Sequence, residues 1–134
     1  RLSRRRPQGL NVAMPHLRIE YSASVAGRFE PATLVEAACE ALLSSGVFSP
    51  ADSIKVRLIP VEHFRVGDGS DQGFIHAGLA LHSGRDEATR KRLTRALVDC
   101  IAALVAPGPQ PVQITSEARE MHRETYSKRL IAGA

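Results

Sequence analysis

The sequence predicts an α/β chain of the α+β sandwich kind: a duplicated β-α-β unit making one four-stranded sheet with two helices on one face. Three observations lead there. Two stretches with helical spacing of apolar residues are each flanked by short runs that alternate as strands do. The two halves so defined are similar in length, as a duplication requires. The 134 residues, 43% of them hydrophobic, suffice for one domain with its own core.

The elements follow in order. Residues 16 to 21 alternate partly and form the first strand. Glu30-Pro31 opens a helix, with proline in the first turn, and Leu34, Val35, Ala38, Ala41 and Leu42 recur on one face. Gly46 ends it. Ile54, Val56 and Leu58 alternate with Lys55 and Arg57, so residues 54 to 61 are a strand. The run 67 to 73, GDGSDQG, is a turn; the position that would close a calcium loop is Leu79, not glutamate. Residues 74 to 81 are a third strand. The helix from Ser83 to about Val105 has the clearest apolar face: Leu93, Ala96, Leu97, Cys100, Ile101 and Leu104. After APGPQP, residues 112 to 116 are a fourth strand, and 117 to 134 a polar tail with some helical character. Helix crossovers favour parallel pairing inside each unit. Two helices cover one sheet face, which leaves the other for a partner subunit.

The formal charge of +4 misleads. Arg1, Arg4, Arg5 and Arg6 lie in an acid-free leader, residues 1–13, expected to stand outside the functional domain 14–134. From Met14 onward fourteen basic residues face fourteen acidic ones. A nucleic-acid binder needs a basic stripe on its folded part, so that partner is not expected. No apolar run approaches the ~18 residues of a membrane span, so no membrane is expected either. Cys39 and Cys100 are 61 positions apart in helical patterns. They read as small buried hydrophobes in a reducing, cytoplasmic setting. The five histidines have no metal-ligand spacing, and no metal site is expected; His76 and His82 share a strand parity.

Three features carry chemistry. Pro15 heads the first strand; as an internal residue its nitrogen is an amide, as a first residue a basic secondary amine. Ser83 with Asp86 resembles a capping box, which places Arg85 in the first helical turn. There it opposes the helix dipole and, with free N–H groups, makes either an anion site or a solvated arginine. Lys55 and Arg57 share one strand face, either as its polar side or as further cations of that site.

Met14-Pro15-His16, GVF at 46–48, IKVR at 54–57, FIHAGL at 74–79, SGR at 83–85 and EMH at 120–122 occur in that order. With the β-α-β-β-α-β pattern, residues 14 to about 130 resemble the 5-carboxymethyl-2-hydroxymuconate isomerase family of the tautomerase superfamily. The resemblance implies a tautomerase-like trimeric fold, no cofactor, and a polycarboxylate substrate of aromatic catabolism. It implies an N-terminal proline, here Pro15, as catalytic base, and Arg85 as a substrate-binding arginine. Lys55 stands where the family pattern has another arginine, keeping the charge without the two-pronged geometry. Phe48 and Phe74 are candidate apolar walls or core. A different unsaturated acid as substrate, a non-catalytic trimer with Pro15 blocked by the leader, and a nucleic-acid role for the leader are the alternatives.

Overall fold

In the computed structural model, residues 14–69 and 71–133 are described; the leader, residues 1–13, lies outside them. Strand β1, His16–Ser22, buries Leu17 and Ile19 completely and leaves Arg18 exposed, as a period of two dictates. Helix α1, Pro31–Ser44, starts where the Glu30 carboxylate accepts from Thr33 N at 2.8 Å. That bond satisfies a backbone donor left free at the helix end. Leu34, Ala38 and Leu42 form its buried stripe, and Gly46 follows at φ +81°, a conformation that favours glycine. Strand β2, Lys55–Val61, then pairs parallel with β1.

The second unit repeats the path. Strand β3, Gly73–His82, runs antiparallel to β1, and β4, Val112–Met121, pairs parallel with β3. The sheet order is β2-β1-β3-β4, so two parallel β-α-β units meet back to back along an antiparallel seam. Both helices lie on one face. Leu17, Ile19, Ile75, Leu79 and Leu81 of the sheet pack there with Leu34, Leu42, Leu93, Leu97 and Ile101 of the helices.

Two expectations need correction. Helix α2 spans Glu87–Leu104, with Asp86, not Ser83, as N-cap, accepting from Thr89 N at 2.8 Å. Ser83 N instead donates to Met121 O at 3.2 Å, and Gly84 at φ +121° cannot join a helix. Arg85 therefore lies in the approach to the helix and not in its first turn. Strand β4 also runs five residues past the expected end. Beyond Ile114 the positions of the same parity include the half-buried Ser116 and the exposed Glu120, which hide the apolar alternation. Ser116 Oγ donates to Ala77 O at 2.9 Å, and Glu120 receives Arg90 Nη1 at 2.7 Å, so both polar groups of the strand are satisfied. The tail contributes one short 3-10 turn, Arg123–Thr125.

Candidate active site

The register of β1 with β2 places Lys55 beside His16 and Arg57 beside Arg18, all on the sheet face away from the helices. Pro15, just before β1, is fully buried, and its carbonyl accepts from Lys55 N at 3.1 Å. Its nitrogen is here the amide formed with Met14, which is itself buried. At this end of the sheet β3 finishes in His82, and the loop after it carries Arg85. The Arg85 guanidinium lies 5.9 Å from the Phe48 ring centroid, within cation–π range. Phe48 is 5% exposed, so it is core on one side and the floor under Arg85 on the other. Arg90 Nη1 donates both to Arg85 O at 2.9 Å and to Glu120, tying the Arg85 loop to β4.

The tail crosses the same end. Tyr126 Oη lies 3.0 Å from His16 Nε2, while His16 Nδ1 lies 3.0 Å from Arg57 Nη2. The Tyr126 ring stands edge-on to His82 with centroids 4.9 Å apart. A cavity of about 560 Å³ lined by Ser127, Lys128 and Arg129 adjoins through Lys128.

The electrostatics are one-sided. Burial, then Arg57, Lys55 and His82, hold the His16 pKa below its ordinary value. Burial, then Lys128 and Arg57, lower that of Lys55. Burial, then Arg123 and Arg85, lower that of His82. Each group resists protonation first because it is partly buried and then because the charged groups acting on it are cations. Lys55 also spends a proton on Ser53 O, at 2.9 Å. Such a cluster of cations favours an anion carrying several charges and disfavours any further cation.

Of the residues singled out from sequence, Pro15, Lys55, Arg57, Arg85 and Phe48 come together. Phe74 does not: it lies eight residues from His82 along β3, about 26 Å at ~3.3 Å per residue, edge-on to Phe64. His16, His82, Arg123, Tyr126 and Lys128 were missed as site residues. His16 stands inside the first motif and His82 directly before SGR, which was the available signal; Tyr126 had none. Cys39 and Cys100 are free and half-buried. Among the described residues there is no group of three or more His, Cys, Asp or Glu able to hold a metal ion. No described helix is long and apolar enough to cross a membrane.

Two β-α-β units joined at an antiparallel seam, with a proline leading the first strand beside a cluster of cations, define a tautomerase-type fold. The chain belongs to the 5-carboxymethyl-2-hydroxymuconate isomerase family, whose model matches residues 15–131. It is thus a member of an isomerase family, and the match begins at Pro15. Among solved structures, a 5-carboxymethyl-2-hydroxymuconate isomerase from Deinococcus radiodurans R1 is 23% identical with TM-score 0.69, covering 87% of this chain and 90% of that one. A 5-carboxymethyl-2-hydroxymuconate delta-isomerase gives 23% identity and TM-score 0.72, covering 87% and 88%. A fused 4-OT, described as a wild-type symmetric trimer, gives 15% identity and TM-score 0.64, covering 80% and 87%. At such identities the likeness is one of fold. No curated protein matches the chain.

Proposed function

We propose that the chain isomerises an unsaturated 2-hydroxy or 2-oxo polycarboxylic acid of the 5-carboxymethyl-2-hydroxymuconate type, with the Pro15 amine as base. The functional domain is residues 14–134, and Met14 is removed to expose that amine. The observation that carries this reading is Pro15 buried at the head of β1, beside His16 and Lys55, on which several cations act. An α-amino group titrates near ~8 in the open. Burial and neighbouring cations disfavour its protonated form, which brings a base toward the operating pH.

The neutral amine takes a proton from the carbon beside the conjugated carbonyl and becomes ammonium. The electron pair moves into a dienolate. The ammonium then returns the same proton to a different carbon, the double bond migrates, and nothing is gained or lost. Lys55, Arg57 and Arg85 hold the carboxylates and stabilise the dienolate charge, with Phe48 as the apolar floor. The sheet face away from the helices packs against two further copies in a homotrimer, the state named for the fused 4-OT structure. If Phe74 reaches a site, it reaches a neighbour's.

The test uses two proteins, one beginning at Pro15 after loss of Met14 and one retaining residues 1–14, each verified by intact mass. They are assayed by ultraviolet absorbance on 2-hydroxymuconate-type acids. The short form is active and the long form nearly inactive, because an amide nitrogen has no usable lone pair. Equal activity in both removes Pro15 as base. Light scattering gives about three chain masses; a monomer at micromolar concentration rules out the trimer.

A further inference from the structure

The hydrogen-bond chain from Arg57 through His16 to Tyr126 has a direction. A guanidinium has donors only. The 3.0 Å contact of Arg57 Nη2 with His16 Nδ1 therefore needs a lone pair on Nδ1. The ring is neutral near pH 7, since burial and cations hold its pKa down. Its one proton is then on Nε2, 3.0 Å from Tyr126 Oη. Nε2–H donates and the phenol oxygen accepts. The phenol's own proton is left over, and among the described residues Tyr126 Oη has no other hydrogen-bond partner.

That free proton is well placed. The Tyr126 ring is flanked by His82, perpendicular to it with centroids 4.9 Å apart, and by the His16 ring, 6.2 Å away. His82 is 5% exposed and its Nδ1 has no partner, so a second polar group of this cluster also stands unpaired. A phenol that accepts one hydrogen bond becomes a better donor of the next. We propose that Tyr126 is a catalytic hydrogen-bond donor to the enolate oxygen of the substrate, with Arg57 and His16 setting its direction. This rests on the isomerase reading above and adds to it the group that meets the reacting oxygen. The cations suit the carboxylates. A neutral donor suits an oxygen whose charge develops only during reaction, because it binds that oxygen more strongly as the charge grows. The proton stays on Tyr126. His16 is a positioning residue, acting through the hydroxyl it directs.

The experiment uses the protein beginning at Pro15. Tyr126→Phe keeps the ring against His82 and removes only the hydroxyl. Loss of one such donor lowers kcat about 100- to 1000-fold with KM changed by less than about threefold; an unchanged kcat overturns the proposal. Nitrogen NMR of the wild-type His16 ring at pH 7.5 shows Nδ1 bare and Nε2 protonated, and the reverse tautomer overturns it even if the variant does not fold. Oxalate, a planar dianion with adjacent oxygens like an enolised 2-oxo acid, supplies a readout free of turnover. Tyr126→Phe weakens oxalate about tenfold and leaves fumarate unaffected. If the wild type binds oxalate but does not isomerise, the isomerase reading fails while the oxalate ratio still decides Tyr126. Equal oxalate affinity in wild type and variant, or none in the wild type, overturns the role.

Discussion

The two ends of the sheet are built alike and furnished differently. At one end β1 and β2 begin and β3 finishes; at the other β3 and β4 begin and β1 finishes. Each end gathers polar and charged side chains. The first is headed by Pro15 and Lys55, with Arg57, Arg85, Arg123 and Lys128 around it. The second has a cavity of about 300 Å³ lined by Ser24, Phe64, Arg65, Asp71, Gln72 and Gln110, among others. Its arginine is already engaged: Arg65 donates to Gly67 O and to Asp68 O, at 3.2 and 2.8 Å. Gln113 near the start of β4 donates to Gln72 at 3.1 Å, where the first end has Lys55 beside Pro15. The repeated unit thus yields two similar ends, and side chains decide which can hold a polyanion. Fold is shared; chemistry is local.

The largest test of this contrast removes one cation from each end. Arg85→Ala should cost roughly 2–4 kcal/mol in kcat/KM for a polycarboxylate, as loss of a charged donor in a site does. Arg65→Ala at the other end should leave kcat/KM unchanged. Equal losses at both ends would mean that the variants act through stability, and equal silence that Arg85 is a solvated surface residue.

The fold was legible because burial follows period. Leu17 and Ile19, or Leu93, Leu97 and Ile101, announce their faces without help from distant residues. The second half of β4 was not legible, because Ser116 and Glu120 are satisfied by Ala77 O and Arg90, contacts that no local pattern encodes. The same holds for the site. Its cations, Lys55, Arg57 and Arg85, stood in short motifs. The bonds that orient it, His16 with Arg57 and with Tyr126, join residues 41 and 110 positions apart. Only the strand register and the path of the tail bring them together.

A smaller effect comes from how the second end is closed. A Cβ added at Gly73, where β3 starts, would overlap Val25 Cγ1. Gly73→Ala should therefore destabilise by about 1–3 kcal/mol, the range for overpacking, measured by urea denaturation. The kinetics of the remaining folded protein should stay as in the wild type, because the strain sits at the end without Pro15. A fall in kcat matching that of Arg85→Ala would show that the two ends are coupled through the sheet.

The smallest effect is the pH dependence that His16 and His82 give the first end. His16 and His82 both have folded pKa values below the ordinary 6.5. Between 6.5 and those lower values the unfolded chain binds protons that the folded chain refuses. Stability therefore rises with pH through that window. The contribution is complete above about 6.5 and is lost as pH falls toward the folded values. Glu30 and Asp86 also titrate low, chiefly through their hydrogen bonds to Thr33 and Thr89. Their contribution disappears only below the ordinary carboxylate range, so the two windows separate. Urea midpoints at pH 7.5, 6.5 and 5.5 should fall steadily for the wild type. His82→Phe keeps an aromatic ring against Tyr126 and removes both the unpaired Nδ1 and one titrating group, so its decline should be shallower. An identical slope in wild type and variant would mean that His82 titrates alike folded and unfolded. The cations Arg123 and Arg85 would then not act on it as their positions require.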